Sequence, residues 1–333
     1  MQEIMLPTKP FNCTKELYED FNENSGEAAL CSLAGIIPSR IKSDEEYAEA
    51  SYYALKMIDI GIHKSEYVFK SVEESAKARM SAGVGLVGLA HYMALNYKKY
   101  DNQEGLDFIH ETIETHVWHL INASLKLGKE KGNAPWMHKT YWPEGWLPID
   151  TYEKKVDTIV APKYKRDWES LRKQIIENKG IRNSVVCAIM PAESSSIASE
   201  TTNSVYPIRD FDLVKTNDTG AVSYVVPDAE ELKDKYQIAW DIATEDLIKV
   251  YAVLQKFTDQ GISADLYRKM QGTEKDGTTE MLSNYLDMVR YGLKTRYYQN
   301  SLIGKTVNLN ASEDKQVQSA EQEESSYCES CAL

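Results

Sequence analysis

Basic residues are in deficit: 38 Lys plus Arg face 51 Asp plus Glu in 333 residues, a formal net charge of -13. No Lys/Arg block is longer than two residues. The chain therefore lacks the basic face that neutralises phosphates along a duplex, and nucleic-acid binding is not expected. Long apolar runs are missing as well. The stretch from Val84 to Leu95 is broken by Gly88, His91 and Tyr92 and falls short of the ~20 residues that a bilayer span requires, so no membrane segment is expected. The N-terminal residues hold neither a charged leader nor an apolar stretch, and no secretory signal is read. Cysteine is sparse and odd in number, at Cys13, Cys31, Cys187, Cys328 and Cys331. Without a leader this favours a reducing, cytoplasmic setting, in which any disulfide is catalytic rather than structural. Histidine stops at His138, so the second half cannot build a Ser-His-Asp triad by itself.

What is present suits a globular α/β chain. With 42% hydrophobic residues there is enough apolar content for a core in one large or two small domains. Glu3 to Leu6 and Gly26 to Gly35 read as short buried strand or strand-to-loop elements. Ser43-Asp-Glu-Glu46 is a capping box opening a helix to about Ile62. Helical spacing continues over about 66–80, 84–98, 104–130, 165–179, 228–238, 242–259 and 277–293. Ser184 to Met190 suits a strand buried on both faces, followed by Pro191 and a helix to about Thr202. Residues 210–226 read as a hairpin turning at Asn217-Asp-Thr-Gly220. Arg296 to Gln299 reads as a last strand. Buried strands alternating with helices indicate an α/β architecture. Residues 1–304 form the domain. Residues 305–333, with six acidic residues against two Lys and Tyr327 as the one aromatic, read as a mobile tail.

Several motifs have a plain structural reading beside a chemical one. Gly83-Val-Gly-Leu-Val-Gly88 has dinucleotide-loop spacing, but it lacks the preceding strand and the later acidic strand end, which leaves close helix packing through small residues. His116 and His119 sit three apart, as a helical metal pair would, yet no further ligands can be named; no metal site is assigned. Pro191-Ala192-Glu193-Ser194-Ser195-Ser196 lies where a strand hands over to a helix, a place for a phosphate or for an ordinary Ser cap. Cys328-Glu-Ser-Cys331 is half of a zinc site, a thioredoxin-like motif or a mobile dithiol, and an acidic tail favours the last. Tyr297 and Tyr298 alone would be packing residues.

Taken together, Glu3-Ile-Met-Leu-Pro-Thr-Lys-Pro, Gly26-Glu-x-Ala-Leu-Cys31, Gly83-x-Gly-x-x-Gly88, Arg182-Asn-Ser to Ser196, Lys294-Thr-x-Tyr-Tyr-Gln299 and the Cys-bearing tail follow one another in an order that resembles the C-terminal part of the large subunit of class I ribonucleotide reductase. The resemblance runs along nearly the whole chain. It implies the C-terminal portion of a ten-stranded α/β barrel. It also implies that Cys31 is one of the cysteine pair that reduces the ribose and becomes a disulfide, and that Glu3 is the carboxylate taking the 3′-hydroxyl proton. Ala192, Glu193, Ser194, Ser195 and Ser196 would hold the substrate diphosphate. Tyr297 and Tyr298 would pass a radical in from a di-iron small subunit, no cofactor being bound in this chain. Cys328 and Cys331 would re-reduce the active site and be reduced in turn by thioredoxin or glutaredoxin. A coil of 29 residues has a reach of roughly 30 Å, enough for such a shuttle.

The departures shape the expectation. The family pattern Asn-x-Cys-x-Glu puts the radical cysteine two residues before the glutamate, and Met1 stands there. The partner of Cys31 and the effector-binding parts have no counterpart in the chain. The expected function is thus the second piece of a split large subunit, reducing ribonucleoside diphosphates once a complementary N-terminal fragment and the small subunit are present. The alternatives are a non-catalytic remnant that binds the small subunit or modulates assembly and, more weakly, an independent dithiol oxidoreductase.

Overall fold

The computed structural model describes residues 2–14, 26–217, 220–270 and 278–303. The tail thiols Cys328 and Cys331 lie outside the described residues.

Strand β1 (Ser32–Ile36) leads to helix α1 (Asp44–Lys64), which starts as its sequence dictates. The Ser43 hydroxyl accepts the Glu46 N–H at 3.2 Å, three acidic residues fill the first turn, and His63 and Lys64 close the last, complementing the helix dipole at both ends. Glu46 reaches back to the Lys42 N–H at 2.7 Å, one residue before the cap. Tyr47, Ser51, Leu55, Ile58 and Ile62 make the buried face. That face packs on α4 (Gln103–Lys131), itself capped by Asn102, whose side chain accepts the Gly105 N–H at 2.8 Å. Each fully buried Leu or Ile in this contact contributes ~1.5–3 kcal/mol.

Between them lie α2 (Lys70–Arg79), β2 (Ala82–Leu86) and α3 (Leu89–Leu95). Here the expected helix over 84–98 is corrected: its first three residues belong to β2, whose five residues are all buried and run parallel to β1 in the register Ser32↔Ala82 to Ile36↔Leu86. The glycines serve strand packing rather than helix packing. A Cβ on Gly83 would lie 2.7 Å from Leu33 and 2.9 Å from Ala188, and one on Gly85 would lie 2.7 Å from the Ala188 carbonyl. Gly88, at φ +81°, turns the chain into α3, a conformation that costs glycine little.

Short α5 (Pro148–Thr151) and α6 (Trp168–Glu177) follow, and then the 184–190 run. This run is not a regular strand, although it lies against β2 as one. The Ala82 and Val84 N–H groups donate to Val185 O and Val186 O, and Ile189 bridges in parallel to Ile262. After α7 (Glu193–Ala198) the hairpin appears as expected in β3 (Asp212–Asn217) and β4 (Gly220–Val225), antiparallel. The expected helix at 228–238 is absent. Those residues form turns, with Leu232 and Tyr236 buried one helical turn apart. Helix α8 (Thr244–Gln255), β5 (Leu266–Met270), α9 (Thr278–Arg290) and β6 (Gln299–Ile303) complete the chain, β6 pairing in parallel with β5 and starting later than the expected last strand. Glu3 to Leu6 is likewise not a strand; it is tied in by the Gly261 N–H, which donates to Glu3 O at 2.7 Å. The result is one run of co-directional extended segments, β1, β2, 185–189 and 260–263, backed by α1, α4 and α8. Among the described residues no helix is long and apolar enough to cross a membrane.

Candidate active site

One segment, Asp259 to Asp265, organises the site. It leaves α8 and is clamped at its start, where the Asp259 carboxylate accepts the N–H groups of Val186 at 2.7 Å and Cys187 at 2.9 Å. Burial pushes the Asp259 carboxyl up to about 6 against those bonds, since desolvation disfavours the charged form. Next, Gln260 donates from Nε2 to Cys31 Sγ at 3.2 Å and to Ala82 O at 3.1 Å. Gly261 follows where no side chain fits, because a Cβ would lie 2.7 Å from Thr295 Oγ1 and 2.9 Å from Gln2 O. Ser263 donates its hydroxyl to Glu3 Oε2 at 2.5 Å. Finally Ala264 O accepts the Tyr297 N–H at 2.9 Å and Asp265 Oδ1 accepts the Tyr298 N–H at 3.2 Å.

Glu3 is fully buried, and its second oxygen, Oε1, has no hydrogen-bond partner among the described residues. A carboxyl group held by one oxygen leaves the other free for a hydrogen-bond partner in a water-poor site. Cys31 is buried too, with its sulfur in a slot opposite Gly83, where a Cβ would come within 3.0 Å of Sγ. Burial pushes the thiol up to about 12, partly offset by the Gln260 N–H. The rings of Tyr297 and Tyr298 lie 3.8 Å apart between centroids, and the Tyr297 hydroxyl donates to that of Tyr298 at 2.7 Å. This bond, aided by burial, raises the Tyr297 phenol well above its ordinary range. Tyr298 is 56% exposed while Tyr297 is half-buried, so the pair leads from the surface inward.

Ala192 to Ser196 follows the 185–189 segment at its far end. The ordinary Ser cap, one of the two readings open at this turn, is not there. Ala192 is the N-cap of α7 and has no side-chain bond, and its own N–H goes to Asn203 Oδ1 at 2.8 Å. Ser196 is buried and its hydroxyl donates to Glu193 O at 2.9 Å. Glu193 pairs with Arg209 at 2.7 Å on the rim of a cavity of about 170 Å³, and Ser194 and Ser195 are exposed. The site therefore brings Glu3, Cys31, Tyr297 and Tyr298 onto one segment, with the 192–196 turn on its neighbour.

His116 and His119 are occupied otherwise. His116 accepts from the Tyr47 hydroxyl at 2.9 Å through Nδ1 and donates from Nε2 to Val84 O at 3.0 Å, while His119 contacts Asp44 at 3.0 Å. Asp259, Gln260 and Ser263 escaped the sequence reading. The available signal was a polar Thr-Asp-Gln-Gly run meeting Ile-Ser-Ala straight after an apolar helix, where burial of polar groups demands partners.

The family model of the ribonucleotide reductase barrel domain matches residues 2–299. The chain is 37% identical over 306 residues to the ribonucleoside-diphosphate reductase subunit alpha of Haemophilus influenzae, covering 91% of this chain and 39% of that one. It is 34% identical over 310 residues to the subunit alpha of Enterobacteria phage T4, with the same two coverages. To the reductase 1 subunit alpha of Escherichia coli it is 36% identical over 244 residues, covering 72% of this chain and 32% of that one. The chain thus spans about two-fifths of the length of the first two relatives and a third of the last.

Proposed function

Since the chain belongs to the ribonucleotide reductase barrel family, we propose that it is the barrel portion of a ribonucleoside-diphosphate reductase large subunit, acting together with a complementary fragment. In this reading Glu3 accepts the 3′-hydroxyl proton through Oε1, and Cys31 is one of two thiols that supply the reducing electron pair. Ala192 to Ser196 hold the diphosphate, and Tyr297 with Tyr298 carries the radical. The supporting observation is that the single segment from Asp259 to Asp265 bonds to Glu3, Cys31, Tyr297 and Tyr298 alike. Residues more than two hundred positions apart are thereby set in one place.

Three partners complete the reading. The complementary fragment brings the radical-bearing cysteine and the partner of Cys31. A di-iron small subunit supplies the radical, and thioredoxin or glutaredoxin reduces Cys328 and Cys331. Helix α9 offers the small subunit a docking face: Leu282, Tyr285, Leu286 and Val289 recur at helical spacing and are each more than half exposed. The helix leads directly into the segment that carries the tyrosines, as a radical path from a docked partner requires.

The test is deoxycytidine diphosphate formation from the purified chain, with and without the small subunit and a fragment that ends in Asn-x-Cys and carries the second cysteine. Turnover is expected when all three are mixed. Turnover by the lone chain overturns the split reading, and a folded, associated but inert mixture supports the non-catalytic alternative.

A further inference from the structure

Gln260 is fully buried, donates three hydrogen bonds and accepts one at its carbonyl from Gln255 Nε2 at 2.8 Å. Its backbone N–H donates to Cys187 O at 3.2 Å, and its side-chain Nε2 donates to Ala82 O at 3.1 Å and to Cys31 Sγ at 3.2 Å. The amide cannot be turned over, because Oε1 would then face the Ala82 carbonyl, acceptor against acceptor. Oε1 is instead left buried without a partner among the described residues. A protein that leaves one amide oxygen unpaired to keep the amide nitrogen on a sulfur is holding a donor there at a cost. Among the described residues the other surroundings of the sulfur do not supply a donor. Gly83 opposes it with bare backbone, and the thiol's own contact, with Ser32 O, is long at 3.9 Å.

We infer that Gln260 is a positioning residue for Cys31, aiming the sulfur and stabilising its thiolate by the Nε2–H···S bond. The charged groups acting on this thiol, Asp259 and Glu3, both push it toward the protonated form, as burial does. Among the described residues Gln260 works in the opposite direction there. The inference rests on the reading of Cys31 as the in-pocket reductant. When a tail thiolate attacks the Cys31-containing disulfide, a new S–S bond forms as the old one breaks. If Cys31 is the sulfur that leaves, it takes the electron pair as a thiolate and afterwards a proton. A donor on that sulfur lowers its basicity and speeds its departure.

The experiment is alkylation by iodoacetamide of the full chain under reducing conditions from pH 7 to 10, with each cysteine followed separately by peptide mass spectrometry. In this reaction the thiolate forms an S–C bond and iodide leaves, so below the thiol's pKa the rate tracks the thiolate fraction. Gln260→Met keeps the length and removes the donor. We expect the Cys31 rate to fall about tenfold at every pH, with the slope of the profile unchanged and exposed Cys13 unaffected. A merely structural role predicts the reverse, since loosened packing speeds both Cys31 and buried Cys187. A Cys31 rate that is unchanged or faster overturns the inference. Should Gln260→Met not fold, Gln260→Asn is measured in the same way, because it keeps an amide for Ala82 but falls a methylene short of the sulfur. A failure of the wider functional reading looks different: reconstituted enzyme with Cys31→Ser would retain turnover, whatever the alkylation rates.

Discussion

Ser263 holds Glu3: its hydroxyl donates to Oε2 at 2.5 Å while its oxygen accepts the Gln2 backbone N–H at 2.9 Å. The hydroxyl proton is thereby directed at the carboxylate and the carboxylate rotor is set, with Oε1 left open. Tyr206, also buried, donates to the Ser263 carbonyl at 2.5 Å, so the serine is itself held from both ends. A base whose geometry is set by a neighbour depends on that neighbour for rate more than for substrate affinity.

We therefore predict that Ser263→Ala lowers kcat of the reconstituted enzyme by about tenfold with little change in KM, and that Glu3→Gln lowers it by about 10²–10⁴-fold. Steady-state assays over a range of cytidine diphosphate concentrations check this. A loss confined to KM in Ser263→Ala would assign the serine to binding instead.

A second prediction concerns the fold behind the site. His116 ties α4 to both Tyr47 of α1 and Val84 of β2, and burial depresses its pKa from 6.5 to about 4, its bond to Val84 O notwithstanding. An unfolded histidine takes up a proton near 6.5 and the folded one resists until about 4. The stability contributed is therefore complete above pH 6.5 and is lost as the pH falls toward 4. The window is worth roughly 3 kcal/mol. Urea titrations of the wild type should show that decline, and His116→Gln should reduce it, leaving the share of His110, whose pKa burial likewise lowers to about 4. An equal acid dependence in both proteins would place the titrating group elsewhere.

The elements legible from sequence were those with local signals. Helix α1 carried its cap, its acidic first turn and its apolar spacing together, and the β3–β4 hairpin carried its turn. Strand β2 was hidden because Ala-Gly-Val-Gly-Leu, buried on both faces, has no alternation to read and glycine is a poor strand former. At 228–238 charged residues around Leu232 and Tyr236 imitate a helix, yet two buried side chains anchor only one turn. In the site, Glu3, Cys31 and the tyrosines were visible only through resemblance. Gln260 and Ser263 were marked only as polar residues straight after an apolar helix, since their partners lie 229 and 260 positions away and nothing local names such partners.

A third prediction addresses the tail, which lies outside the described residues. Changing both Cys328→Ser and Cys331→Ser should make thioredoxin-supported turnover collapse after the first cycles, because serine cannot exchange with a disulfide. Dithiothreitol, small enough to enter, should restore part of the rate. Cys31→Ser should block normal product formation with either reductant. Equal thioredoxin-supported rates in the double variant and the wild type would make the tail thiols incidental.

The last prediction tests the tyrosine pair. With ring centroids 3.8 Å apart and hydroxyls 2.7 Å apart, an electron can pass between the rings while a proton passes along the hydrogen bond, so neither phenol is left as a high-energy cation. The raised pKa of Tyr297 keeps it protonated until it is oxidised, and exposed Tyr298 is the member a partner can reach. Phenylalanine preserves the ring contact and packing but removes the phenol on which this transfer depends. Tyr297→Phe and Tyr298→Phe should each abolish turnover in the reconstituted enzyme, with substrate binding and assembly nearly intact by calorimetry and sedimentation. The stability cost should be small, about 1 kcal/mol, because only one half-exposed hydrogen bond is lost. Wild-type rates in both variants would return the tyrosines to simple packing, whereas loss of assembly along with activity would show that they serve the interface instead.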